Sequence, residues 1–572
     1  MPYQTSPEID FSSIGLMVDV PSNAIPQGGW SDSLNVRCRN GSVQGVNAFA
    51  SDILLHHTDA NIANGEAKAI CQFTPAGGSN LIIAYIVKGV NGNGSVILYN
   101  SAGANNAAKW NNITNATANQ VFTFDDDHPP QIFVFNELLI VNPATDAPPQ
   151  FTTATVAAGS LVELPNWVYD TTTTTTAAGS FVTGAKYTIK VVGNTSFTGI
   201  GASANTVGVT FTATGVGSGN GTATITTPVI VRVLKSFNTR LIGMNVKEEH
   251  NAGTADDKFQ PIDLLFSSNI SSIASLAAAE WTASLTNTAG DAFLVDTPGK
   301  ILDGGQLGEF FIAYKSDSVV RVRETGDSFV LAIESIFEDD GIYSTRCFAN
   351  IGNSQHLVVG NYGLYVHDGQ SQKQDIAKDL FKDTMFNLIK PAERNRTFVF
   401  QQTRDKEVWF CLPSTANNTT GCDIAFCYDY SSSKIHKRTL PGLSDLFETE
   451  QNGELKIFGC KSGTRLQVLS NTALEANGFF ERTDDNLTNN SINKQIKRIH
   501  VTAKGACKLA ITGTKFLSDT ASYTNVDFNP ASTHKVDVRT SGRFMNLKVT
   551  MNGTTNPQLT NLQFDIKVIG VR

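Results

Sequence analysis

The sequence predicts an all-β chain, with a β-propeller core, a small inserted β-domain and a C-terminal β-sandwich-like domain. Three observations carry this. Short apolar runs of strand length recur along the chain, most of them bounded by Gly, Asn, Asp or Pro. The stronger hairpins begin at 309, 356, 397 and 455, close to the ~40–50 residues of a four-stranded propeller blade. Helical periodicity is confined to two short stretches.

The strand runs are Leu81–Val87, Gln131–Val141, Glu309–Val322, His356–Val366, Thr397–Leu412, Asp423–Tyr430 and Leu455–Val468. Pairs of strands close on polar turns in GLYVHDGQ (Gly363–Gln370) and IAFCYDYSSSK (Ile424–Lys434), as a blade that reverses in a few residues requires. No WD, kelch or Asp-box signature accompanies them. The two helical stretches are Ser268–Ser284 and Asp375–Leu388, the latter with Asp375 as its N-cap. Both read as insertions between strands.

Two segments stand apart. Thr171–Thr227 opens on a Thr tract that reads as a linker and continues with alternating Tyr187, Ile189, Val191 and Val207, Val209, Phe211. Its glycines at 215, 217, 219 and 221 fit neither GxGxxG nor GxxxxGK[ST], so they read as turns. The last segment alternates at Leu509/Ile511, Val536/Val538, Leu547/Val549 and Phe564/Ile566/Val568. The resulting division is 1–50 as an N-terminal docking segment and 51–170 as the first propeller part. The insert is 171–227, the remaining blades 228–490 and the C-terminal β-domain 491–572.

Composition narrows the function. The 572 residues carry a net charge of −8, with 41% hydrophobic and 17% charged residues. This excludes a charge-driven disordered chain, and argues against nucleic-acid binding over most of the surface. The N-terminus MPYQTSPEIDF has no basic and apolar signal pattern, so assembly in a cytoplasm is expected. The longest apolar run, Asn80–Val87, is too short to span a membrane as a helix. The eight cysteines show no CxxC pair and read as buried thiols; zinc through Cys422 and Cys427 lacks two further ligands at recognisable spacing.

Catalytic groupings are sparse. HExxH, GxSxG, P-loop and EF-hand patterns are absent. The Asp125–Asp127 and His128 cluster reads as a solvated loop, and Glu338–Asp340 and Asp484–Asp485 as turns. Glu324 and Asp368 are the distant carboxylates that folding could bring into one groove. No catalytic, cofactor or metal residues are therefore assigned, and no enzymatic activity is expected. A basic cluster at Lys494, Lys497 and Arg498 is a candidate for phosphate or an acidic neighbouring chain. Trp30, Asn35 and Arg37, an aromatic and an Arg in a polar Gly-rich stretch, are candidates for an assembly interface.

The opening PSNAIPQGGWSDSLNVRCRNGSVQGVNAF resembles the first segment of bacteriophage tail and neck proteins. VHDGQSQKQDIAKDLFKDTMFNLIKP, RTFVFQQTRDKEVWFCLPS and CDIAFCYDYSSSKIHKRTLP resemble the propeller core of the same proteins. The likeness covers 21–49 and 229–441, is strongest over 355–441, and is to the tail nozzle (tail tubular protein B-like) family of short-tailed phages. The insert is similar to β-inserts of marine phage structural proteins. The chain departs from the pattern at Ile435-His436, where Trp often stands. The resemblance implies a hexameric virion ring below the portal and adaptor, which extends and closes the DNA channel, touches tail fibres and transiently passes double-stranded DNA. The alternative is a carbohydrate-active or receptor-binding propeller of the tail, of tailspike depolymerase type.

Overall fold

The computed structural model describes residues 3–571 apart from short stretches, the longest being 89–93, 101–109, 115–121, 170–174, 249–257, 272–275, 417–420 and 552–556, and scattered shorter ones. The chain is all-β. It divides into two compact units, one of 55–345 with 369–371 and one of 1–54, 346–368 and 372–572.

The first unit is a series of antiparallel meanders of propeller-blade form. Glu66–Phe73, Leu81–Val87, Ser95–Asn100 and Asn111–Asn112 make one sheet; Gln131–Phe135, Leu138–Asn142, Gln150–Thr152 and Val162–Glu163 make the next. A third is built on Thr227–Phe237, Arg240–Glu248, Phe259–Phe266 and Gly290–Phe293, and a fourth on Ile301–Leu307, Phe310–Lys315, Val319–Glu324 and Leu331–Phe337. The leading strands of successive sheets lie against one another, and the second strands, Leu81–Val87, Leu138–Asn142 and Phe310–Lys315, are buried on both faces and read as near-continuous apolar runs. Gln131 locks one such junction: its Nε2 donates to Arg232 O at 3.1 Å and its Oε1 accepts from Leu234 N at 2.7 Å. The cores between sheets hold Leu138, Ile140, Val231 and Leu265, then Phe237, Met244, Phe311 and Val320.

The insert is a separate four-stranded sheet, ordered Thr175–Ala177, Thr222–Ile225, Lys186–Val191, Thr210–Thr212. It has its own core of Phe181, Tyr187, Ile189, Phe197 and Phe211. The chain leaves the third sheet at Val168–Tyr169 and returns opposite it, Val168 pairing with Pro228. Gly217 and Gly219 sit at φ of 70° and 110° in a turn, which glycine tolerates.

The second unit begins with the meander Phe348–Ile351, Gln355–Val359, Leu364–His367 and Lys373–Asp375. A seven-stranded sheet follows, from Phe398–Gln402 to Arg465–Leu474, closed at its far edge by Asn47–Leu54 from the N-terminal region. Two further sheets make the C-terminal sandwich. One is ordered Lys535–Gly542, Ile492–Lys504, Gln558–Val571, Ser42–Gly45, Val36–Arg39; the other is Val526–Phe528, Cys507–Thr514, Phe544–Met551, Phe479–Asp485, Asp32–Leu34. The first 45 residues thus supply strands to the C-terminal sandwich.

The helices differ from expectation. Asp375 accepts from Ala377 N and Lys378 N in a turn, and the α-helix begins only at Lys382. Its N-terminal amides at Asp383 and Thr384 are satisfied by Asp19, at 2.7 and 2.9 Å. That cap comes from hundreds of residues away, so no local pattern carries it. Much of the Ser268–Ser284 stretch lies outside the described residues; Ile270, Leu276 and Trp281 in it are buried.

Candidate functional site

Asp32–Leu34 and Val36–Arg39 cross from the sandwich to the seven-stranded sheet, and this seam holds all three residues expected at an assembly interface. Each faces inward. Trp30 is fully buried, stacks on Phe480 at 5.1 Å, and donates from Nε1 to Phe11 O at 2.9 Å. Asn35 takes φ 57°, which Asn tolerates better than most residues. Its Oδ1 accepts from Thr439 N at 2.8 Å and its own N donates to Lys437 O at 2.8 Å. Arg37 Nη1 reaches Asp405 at 2.9 Å and Glu407 at 3.1 Å. Lys437 pairs with Asp32 at 2.8 Å, and Lys434 donates to Ser12 O at 2.6 Å. A subunit-interface role for Trp30 is thereby corrected: its apolar area is already spent inside its own chain.

Behind the seam lies a buried polar cluster on the strands Glu407–Leu412, Cys422–Asp429 and Lys434–Gln451. Register explains it. Trp409 pairs with Cys427, and Cys427 with His436. Period two then places Glu407 on the same face as Trp409, and Arg438 on the same face as His436. Glu407 Oε2 accepts from Trp409 Nε1 at 2.9 Å. Arg438 lies 4.2 Å over the Trp409 ring and donates to Asn47 O at 2.8 Å. Glu407, Cys427 and His436 each bring one ligand-type atom to within 4.8 Å of the others.

The electrostatics follow from burial. Asp405 is raised by desolvation, but Arg37 and Arg39 outweigh this and hold it at about 2. Burial lowers His436 to about 4, with Glu407 pulling weakly the other way. Burial pushes the Cys427 thiol well above its usual range. Cys422, the partner once considered for a zinc pair, donates instead to Arg396 O at 3.2 Å.

The basic cluster is not one patch. Lys494 is buried and donates to Arg543 O at 2.6 Å, burial lowering its pKa. Lys497 lies over the Tyr3 ring at 5.4 Å. Arg498 pairs with Asp537 at 2.7 Å, raising its pKa. Alternation sets Lys497 on the face opposite Lys494, and a register shift between Ile496 and Arg498 interrupts the alternation that would have put Arg498 on the face of Lys494.

Among the acidic groups, Asp125 pairs with His128 at 2.7 Å within one loop. Asp484 is mostly buried and accepts from Ser22 at 2.6 Å, so it is not the solvated turn residue expected. Glu324 is held by Arg240 at 2.8 Å, and it belongs to a different unit from Asp368. All eight cysteines are buried.

No protein-family profile and no curated protein matches the chain. Solved structures do. An exo-β-1,3-galactanase from Phanerochaete chrysosporium matches at 7% identity over 93% of this chain and 95% of its own, with a TM-score of 0.22. An ancestral GH74 enzyme matches at 9% identity over 76% and 77%, with a TM-score of 0.23. An apocarotenoid oxygenase of Synechocystis matches at 8% identity over 72% and 87%, with a TM-score of 0.28. These three are enzymes; the expectation that this chain lacks enzymatic activity is corrected on a physical ground and not on these likenesses. The absence of local motifs does not support it, because a site gathered from separate sheets leaves no local spacing to find. Likeness at this level assigns no activity either.

Proposed function

We propose that the chain is a structural subunit of the tail nozzle of a short-tailed phage. One observation supports this above others. The stretch 21–49 and the strongest part of the second resembling stretch, 355–441 of 229–441, are far apart in sequence yet, apart from 369–371, fold together in one unit. They are joined by Asn35 to Thr439, Arg37 to Glu407 and Asp32 to Lys437. In this reading subunits form a hexameric ring below the portal and adaptor and line the channel through which double-stranded DNA leaves. A charge of −8 per chain, multiplied around a ring, repels DNA and lets it slide. The test is to mix purified chain with DNA-filled heads that carry the adaptor but no nozzle. Rings seated below the adaptor on electron micrographs, with retention of DNA, are the expected result.

A second reading, a carbohydrate-active or receptor-binding propeller of the tail, rests on Tyr362. Its side chain is 72% exposed in the turn between Gln355–Val359 and Leu364–His367, the setting of an aromatic that stacks on a sugar. Binding of host polysaccharide that is lost in Tyr362→Ala, or release of reducing ends, favours it over the nozzle.

A further inference from the structure

We propose that Glu407, Cys427 and His436 form a buried site for a zinc-type transition-metal ion. The inference is independent of the nozzle reading.

Three features carry it. The donors are thiol, imidazole and carboxylate, the set that zinc takes in proteins. They come from three consecutive strands: Cys427 and His436 are direct cross-strand partners, and Glu407, paired with Asp429, lies two residues along from Trp409, the partner of Cys427, so the sheet itself fixes their spacing. With Zn–S near 2.3 Å and Zn–N or Zn–O near 2.0–2.1 Å, tetrahedral donors stand about 3.3–3.6 Å apart. The observed atoms lie within 4.8 Å, so rotation of side chains closes the remainder.

The second feature is an unmet need. His436 is 3% exposed and its Nε2 has no hydrogen-bond partner. Leaving a buried polar atom unpaired costs about 1–3 kcal/mol, and a metal ion removes that cost.

The third is the surrounding shell. Each Glu407 oxygen accepts one hydrogen bond, Oε1 from Arg37 and Oε2 from Trp409. A carboxylate oxygen keeps a further lone pair for a metal, and outer donors of this kind orient ligating carboxylates. Charge also balances closely. Arg37, Arg39 and Arg438 offset Asp405, Glu407 and Glu475, so a thiolate plus a dication leaves a single positive charge. Binding exchanges the Cys427 S–H bond for an S–metal bond and releases one proton to solvent.

The experiment uses the full chain, purified without chelator from zinc-supplemented cells, with metal content measured by mass spectrometry. One equivalent of zinc is expected. Replacement by Co²⁺ should give a thiolate-to-cobalt charge-transfer band that Cys427→Ser abolishes and Cys422→Ser, an equally buried control, retains. Should Cys427→Ser fail to fold, zinc-edge X-ray absorption of the unaltered protein decides: one sulfur near 2.3 Å is expected. A metal-free protein that takes up no Co²⁺ overturns the proposal. So does bound metal without sulfur, or a band that survives Cys427→Ser.

Discussion

Replacing Trp30 by Ala removes the largest side chain at the seam, and the structure sets the size of the effect. A buried indole covers ~150–250 Å², which at ~25 cal/mol per Å² corresponds to ~4–6 kcal/mol. Measured large-to-small core changes of this type cost about 3–5 kcal/mol. The stack on Phe480 and the bond to Phe11 O go with it, and the orphaned carbonyl adds about 1 kcal/mol. A loss of about 4 kcal/mol is therefore expected in the unfolding transition of the unit formed by 1–54, 346–368 and 372–572. Denaturant unfolding followed by far-ultraviolet dichroism reads it, fitted to separate transitions because the chain has two units. Limited proteolysis should show earlier cutting within 1–45, and Trp30→Phe should recover much of the loss. A loss below about 1 kcal/mol, with normal folding and a selective failure to attach to phage heads, would refute the reasoning and restore Trp30 as a docking residue.

Further predictions follow from individual sites. Arg37→Met leaves Glu407 buried without its ion-pair partner and Asp405 with Arg39 in place of two cations; breaking a buried pair costs about 3–5 kcal/mol, read as a lowered denaturation midpoint, and an unchanged midpoint disproves it. Lys315 is buried and donates to the Leu294 and Thr297 carbonyls, so Lys315→Met, which orphans them, should cost about 2–4 kcal/mol; a stabilised variant contradicts this. His367 is buried beside His356 and held neutral, its pKa lowered to about 3 by burial and then by His356. The unfolded chain then binds more protons below about pH 6.5, so stability is greatest above that pH and is lost progressively as pH falls toward 3. His367→Gln should flatten that slope, and an unaltered slope sinks the assignment. Deletion of 171–226 with a short Gly/Ser bridge between the paired ends at Tyr169 and Thr227 should leave a soluble chain of nearly unchanged thermal stability; insoluble protein shows that the insert supports the body.

The strands were legible because alternation and turn chemistry are local. Gln131–Val141, Thr397–Leu412 and Asp423–Tyr430 became hairpins or strands near their expected bounds. What escaped is non-local. Asp32–Leu34 enters the C-terminal sandwich by pairing with Phe479–Asp485, and Val36–Arg39 enters it through its hairpin partner Ser42–Gly45, which pairs with Gln558 and Leu559; both links span hundreds of residues, as does the cap that Asp19 provides. The inward face of Trp30 follows from Phe480, and Lys494 lies inward on the face of Ile496, its charge met by the Arg543 carbonyl that local pattern does not announce. The buried trio had a usable signal. Cys427 and His436 each lie two residues outside the Asp429–Lys434 pair that closes their hairpin, so they must be opposite neighbours. Counting outward from that turn finds the pair; the register with Glu407–Leu412 is needed to add Glu407.

The central claim is a place in the virion. The most direct measurement is a cryo-electron microscopy reconstruction of the phage tail that carries this chain, with no symmetry imposed at first. The account predicts density for the chain as a ring of six subunits around the channel, directly below the adaptor, with residues 21–49 and 355–441 packed together inside each subunit. Density for the chain at a peripheral spike or fibre, away from the channel, contradicts it.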